Sequence, residues 1–268
     1  MSPVQEPAVA MPVIAAYTQR ETSRAALRRA FPRRRGKLLL TRTAAELERA
    51  FRRELIDAVV VDIASANDDT WRAAGLARDF PSAAFYGLSS YRASDAAGIA
   101  RCVEQEFADV LAEGVDDTVL RELILRDSFT ARFARALDMP PAALGLTDRL
   151  QRDTWNAIVA YAGRTVPTEV LAKSMGLTRE HLSRRFASQG SPNLKRVADL
   201  VRLIAAAELA KNPGHDIRDI ARILEFASSS HLAVTAQRIF GTRPASLARL
   251  RTTDLIDRFA QGRTRSRS

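Results

Sequence analysis

The chain has 268 residues, 46% of them apolar, and a formal net charge of +10. That length suits two modest domains with cores of their own, and the apolar content excludes wholesale disorder. No apolar run approaches the roughly 18–20 residues of a membrane span, and a single cysteine, Cys102, excludes an intrachain disulfide and fits a reducing cytoplasm.

The charge is unevenly placed. Through Thr147 there are 20 Lys+Arg and 20 Asp+Glu; from Asp148 to Arg251 there are 17 against 9, a net +8, and the remainder has 4 against 2. A neutral half joined to a basic half assigns any polyanion to the second half.

The first half alternates short apolar runs with amphipathic stretches. The start lacks the basic n-region of a secretory signal, and Val13–Tyr17 reads as a strand. Further strands are expected at Lys37–Thr41, Ala58–Ile63, Ala83–Gly87 and Ala108–Ala112, with helices near Thr22–Phe31, Thr43–Leu55, Asp69–Phe80, Ala93–Glu106 and Asp116–Leu137. Five strands in strict alternation with five helices imply a doubly wound parallel sheet. The run at Ala58–Ile63 is apolar on both faces, as a central parallel strand should be. Cys102 falls in a helix and reads as a core thiol. Asp68 and Asp69 read as the start of a helix rather than a metal site, and Arg33, Arg34 and Arg35 as a solvated basic loop.

This half resembles the receiver domain of bacterial response regulators over roughly residues 12–127, on element order and on Asp62 at the end of the third strand. The resemblance implies a phosphoacceptor at Asp62, but the chemistry around it departs. Where receivers carry an acidic pair for Mg²⁺, this chain has Tyr17-Thr18-Gln19-Arg20. Where they carry a Lys after the fifth strand, it has Ala112-Glu113-Gly114. Phosphoryl transfer needs cations against the developing charge, so Asp62 is expected to be a degenerate phosphoacceptor. Ser89 or Ser90 stands where receivers place a hydroxyl. The expected role of this pseudo-receiver (residues 12–137) is homodimerisation or the binding of another partner.

Asp138–Thr147, with Pro140, Pro141 and Gly145, reads as a linker. A helix is then expected from Thr147 or Asp148 to about Gly163, with Trp155, Ile158, Val159 and Ala162 on its apolar face. In Thr168–Phe186, Thr168 is placed to cap one helix, Gly176 supplies a left-handed turn, and Thr178 caps a second helix bearing Arg179, Glu180, Ser183, Arg184 and Arg185. Alone, this stretch is either a helix-turn-helix or an ordinary helical hairpin with a solvated basic face. Pro192 is expected in the first turn of a long helix reaching Lys211, about twenty residues and roughly 30 Å, close to one turn of B-DNA. Asp216 then caps a short helix with Ile217, Ile220, Ala221 and Leu224 inside, and a turn at Glu225 leads into Ser229–Phe240, closed by Gly241-Thr242-Arg243-Pro244.

With Leu171-Ala172-Lys173-Ser174-Met175-Gly176-Leu177-Thr178, His181-Leu182-Ser183-Arg184-Arg185-Phe186, Arg202-Leu203 and the ending Ile239-Phe240-Gly241-Thr242-Arg243-Pro244, residues 148–251 resemble the DNA-binding domain of AraC/XylS-family transcription regulators. The resemblance implies an all-α domain of two helix-turn-helices on double-stranded DNA, with RNA polymerase as a further partner and no cofactor. Arg184 is expected to contact guanine, Glu180 to accept from cytosine or act as a filter, and Arg179 and Ser183 to touch the backbone. In the second motif Glu225 stands where the pattern wants Gly, Val234 replaces an outward base, and Ala236 replaces a core aromatic. Ser229, Ser230, His231, Arg238 and Arg243 are left to position the duplex. Residues 252–268 are expected to form a basic tail, with Arg263–Ser268 disordered. A cytoplasmic, sequence-specific regulator is the leading expectation. The alternatives are a phosphorylation-controlled response regulator using Asp62, or a co-regulator with weak DNA binding of its own. No enzyme signature or metal-ligand spacing is visible.

Overall fold

The computed structural model describes residues 10–265. Its compact units are discontinuous: one comprises Met11–Arg132 with Asn212–Asp219, the other Phe133–Lys211 and residues 220–265, together with Ala10.

The first unit holds β1 (Val13–Tyr17), α1 (Glu21–Ala30), β2 (Lys37–Thr41), α2 (Ala44–Phe51), β3 (Ala58–Asp62), α3 (Asp68–Asp79), β4 (Ala84–Ser89), α4 (Ala96–Glu104), β5 (Asp109–Ala112) and α5 (Asp117–Arg126). The strands pair in parallel in the order β2-β1-β3-β4-β5, that of flavodoxin-like sheets. Every residue of β1, β3 and β4 is buried, as expected of strands covered on both faces. Ile14 and Ala16 join Val60 and Leu88 under Leu27 of α1 and Ile124 of α5. Val13, Ala15 and Tyr17 join Val59 and Val61 under Leu47 of α2, Ala73 of α3 and Cys102 of α4. Burial pushes the Cys102 thiol up to about 11, as befits a core residue. Asn67, rather than either aspartate, caps α3; Asp68 and Asp69 lie in its first turn. In the Asn212–Asp219 piece, His215 stacks edge-on against Phe80 with centroids 4.9 Å apart. Its burial holds the imidazole down to about 4.

The single helix expected over Asp116–Leu137 is two, α5 and α6 (Phe129–Ala136). The chain breaks at Asp127-Ser128 because buried Asp57 holds the start of α6: Thr130 N–H donates to Asp57 Oδ1 (2.9 Å) and Val13 N–H to its Oδ2 (2.8 Å). The unit boundary falls inside α6, after Arg132 rather than after residue 137.

The second unit continues with α7 (Arg149–Val159), α8 (Thr168–Ser174), α9 (Arg179–Phe186), α10 (Leu194–Leu209), α11 (Ile217–Ile223), α12 (Ser229–Phe240) and α13 (Thr252–Arg265). The expected linker is packed: Leu144 and Leu146 are buried, and Trp155 Nε1 donates to the Leu137 carbonyl (2.9 Å). Pro192 lies before the cap of α10, which is Asn193, and the helix has 16 residues. At 1.5 Å per residue it spans about 24 Å, shorter than expected, because Ala210 to Gly214 turn away early. Leu200, Val201, Leu203, Ile204 and Ala205 are fully covered. A Cβ on Gly163, whose φ is +83°, would sit 2.2 Å from that of Ala205, so only glycine fits there.

Within the expected tail the described residues, 252–265, form a helix, with Leu255 and Phe259, one turn apart, fully buried and Arg196 stacked over the Phe259 ring. Apolar residues at i and i+4 give that segment a face to bury. Residues 266–268 lie outside the described range.

Candidate nucleic-acid interface

The first helix-turn-helix is built as its sequence suggests, with one change. Thr168 is the first helical residue of α8, and Pro167 takes the cap position with no side-chain bond. Gly176 turns the chain at φ +66°. Thr178 Oγ1 accepts from His181 N–H and starts α9, while Leu182 and Phe186 are buried. Gln151 of α7 fixes the far end of α9, donating through Nε2 to the Phe186 carbonyl and to Ser191 Oγ, each at 2.9 Å. These anchors leave Arg179, Glu180, Arg184 and Arg185 exposed and Ser183 half-buried.

The exposed residues are not equivalent. Arg179 Nη1 donates to Glu169 of α8 (2.9 Å), and Arg185 approaches Asp148 (3.9 Å). Arg184 makes no ion pair among the described residues, so its guanidinium fork is open to a planar acceptor pair.

The second motif keeps the plan with poorer chemistry. Asp216 accepts from Arg218 and Asp219 N–H and caps α11, as expected. Glu225 holds φ +58°, a left-handed turn that costs a side-chain-bearing residue about 1–2 kcal/mol. The turn persists because its neighbours are anchored: Arg202 Nε donates to the Leu224 carbonyl (2.8 Å), and its guanidinium lies 3.7 Å from the centre of the Phe226 ring. Ser228 caps α12 by accepting from His231 N–H (3.0 Å). His231 is exposed but leans edge-on to Phe226 and accepts from Ala227 N–H. Ser230 and Arg243 are exposed, Ser229 half-buried, Ala236 buried and Val234 66% exposed, so the replacement for an outward base presents only methyl groups. Arg238 is not loose: its Nη2 donates to Asp199 of α10 at 2.7 Å.

Beside α9 lies a cleft of about 440 Å³ shared by the α7–α8 loop, α9 and α10; its lining includes Arg164, Arg179, Ser183, Lys195 and Arg202. Arg164, Lys195 and Arg202 were not among the expected contacts. The run of cations at 195, 196 and 202 is visible in the sequence, but which of them faces α9 depends on helix packing.

In the N-terminal unit, Asp62, buried at the end of β3, is fully engaged. Arg20 Nε donates to its Oδ2 (2.9 Å) and Arg20 Nη2 to its Oδ1 (2.6 Å); Thr18 Oγ1 donates to Oδ2 (2.6 Å) and Ala64 N–H to Oδ1 (3.2 Å). Arg20 also donates to Glu113, which accepts from Ser23 and Ser90 hydroxyls. Burial disfavours the Arg20 charge, but its hydrogen bonds to the two carboxylates outweigh that and leave the guanidinium above its ordinary range. Burial likewise opposes ionisation of Glu113, yet its bonds to Arg20, Ser90 and Ser23 hold it below the usual carboxylate range. No Mg²⁺-binding acids or Lys accompany Asp62 in the sequence, but Arg20 supplies it with a cation. That cation is a resident counter-ion occupying both carboxylate oxygens. Ser89 donates to Asp95 instead (2.8 Å).

Residues 171–249 match the family model described as a helix-turn-helix domain, which is of the AraC type. Over this segment the chain is similar to helix-turn-helix domains of the AraC type. Preceded by the receiver-like sheet, it fits a regulator that binds DNA and controls transcription. No curated protein matches the chain. Among solved structures, a response regulator from Thermotoga maritima shows 20% identity over 42% of this chain and 94% of its own, with a TM-score of 0.37. Full-length FixJ from B. japonicum shows 11% identity over 84% and 96%, at 0.39. A response regulator from Burkholderia pseudomallei with a phosphorylated aspartic acid, calcium ion and citrate shows 17% over 66% and 99%, at 0.38. At such scores these likenesses carry no functional weight, and the receiver-like description rests on the strand order. No helix among the described residues is long and apolar enough to cross a membrane.

Proposed function

We propose that this protein is a sequence-specific, DNA-binding transcription regulator whose first helix-turn-helix reads bases while the second positions the duplex. The observation that carries the reading is Arg184: exposed, without an ion pair among the described residues, and held on α9 by the buried Leu182 and Phe186. A guanidinium so placed suits bidentate contact with guanine O6 and N7 in the major groove. Arg179, Ser183 and the cleft residues Arg164 and Lys195 would take flanking phosphates, and Arg238 and Arg243 would hold the backbone from the second motif. Glu180 remains the candidate filter on the same face.

Site selection from random duplex, followed by affinity on the selected and a scrambled site, tests this. A shared motif bound well above scrambled DNA is expected; failure to enrich any sequence, or to bind any duplex at low salt, would overturn it. The N-terminal unit then serves pairing or partner binding rather than phosphate reception, since the oxygens a phosphoryl group would need are held by Arg20, Thr18 and Ala64. Incubation with acetyl phosphate and Mg²⁺ should leave the intact mass unchanged.

A further inference from the structure

The basic loop between α1 and β2 is not used by the DNA reading. Arg33, Arg34 and Arg35 are exposed, and among the described residues none of the three pairs with an acid. They stand at the head of β2, which lies at one margin of the five-stranded sheet with β1 as its one strand neighbour among the described residues.

The direction of that margin follows from two bonds. Lys37 N–H donates to the Pro12 carbonyl (2.8 Å) and Thr18 N–H to the Thr41 carbonyl (3.1 Å), so positions 37, 39 and 41 turn their backbone groups toward β1. By the alternation of a parallel ladder, Leu38 and Leu40 turn N–H and C=O outward. On the same side of the sheet runs a groove of about 750 Å³, lined by Met11, Phe31, Leu38 and Leu40 with Arg33 and Lys37 beside them. Open backbone groups, an apolar groove and a cluster of cations thus meet along one strand.

We propose that this margin docks an extended, acidic segment of a partner protein, which adds to the sheet beside β2. Its alternate apolar side chains would enter the groove and its carboxylates meet Arg33, Arg34 and Arg35. Charge selects this occupant over a second copy of the chain. Two β2 margins paired in either direction would set Arg33–Arg35 and Arg42 against the same cations, and like charges across adjacent strands repel. A duplex backbone would satisfy the arginines but leave the strand amides and the groove unused. The inference deepens the partner-binding reading of the N-terminal unit and is independent of DNA recognition.

The test uses the full chain and a fluorescent peptide alternating Glu or Asp with Leu or Val. A peptide with the acids replaced by Lys is the control. Saturable binding of the acidic peptide is expected, with amide exchange at Leu38 and Leu40 slowed about tenfold or more while Lys37 and Leu39, already bonded, change little. Replacing Arg33, Arg34 and Arg35 together by Gln should weaken the peptide about tenfold and leave affinity for the selected duplex within about twofold. Leu38→Pro removes an outward donor while sparing the β1 ladder; with its melting curve and circular dichroism preserved, it should also lose the peptide. The proposal is overturned by no saturable binding, by binding without protection at Leu38 and Leu40, or by equal binding to the Gln variant. Displacement of the peptide by unselected duplex, or a dimer that Leu38→Pro converts to monomer, would overturn it too. Failure of the DNA reading shows separately, as a wild-type chain that takes the peptide and ignores every duplex.

Discussion

At the bend between α8 and α9 the chain uses Gly176 at φ +66°, and at the matching bend between α11 and α12 it uses Glu225 at φ +58°. The backbone makes the same turn twice, once without strain and once held by Arg202 against Leu224 and Phe226. Beyond the bends the motifs diverge further. Among the described residues the first leaves Arg184 without an ion pair; the second ties Arg238 to Asp199 and exposes Val234 on its outer face. A helix-turn-helix can therefore keep its geometry after its outward chemistry has changed, because buried contacts fix the turn and exposed residues fix the reading.

Four substitutions would break or sharpen this contrast. Arg184→Ala should have the largest effect, costing about 1–3 kcal/mol on the selected site and relaxing one base position, with a much smaller loss on scrambled DNA; equal losses on both would strip the first motif of its role as reader. Arg238→Ala should weaken selected and scrambled duplexes alike by several-fold and reduce the magnitude of the salt slope by about one. A base-specific loss there would make the two motifs equal partners. Val234→Arg restores an outward cation to α12 and should steepen the salt slope by about 0.9 per phosphate gained; an unchanged slope would place that face away from the duplex. Glu225→Gly should have the smallest effect on binding while relieving about 1–2 kcal/mol of turn strain, seen as an unfolding midpoint raised by a few degrees. A lower midpoint would mean that Glu225 is held by more than its neighbours' anchors.

The N-terminal sheet was legible because its signals are local and short in period. Apolar runs bounded by polar turns placed β1 and β2 to the residue, and the two-faced run at Ala58–Ile63 marked β3, observed over Ala58–Asp62. The break between α5 and α6 was not legible, since Asp57 lies 73 residues from Thr130 and only folding brings them together. The exposed face of α9 was readable from helical spacing, with Leu182 and Phe186 inside and the charged residues outside. That Arg179 and Arg185 have intramolecular carboxylates and Arg184 has none among the described residues was not, because their partners lie on α8 and at the cap of α7.

Local pattern by itself determined the alternating sheet, the two turns and the placement of net charge, since periodicity and capping act within a few residues. Tertiary structure alone decided which charges are spent. Arg20 closes on Asp62 and Glu113, 42 and 93 residues away, and Arg238 closes on Asp199, 39 residues away. Attraction between charges depends on distance through space, which a linear sequence does not record until the chain has packed.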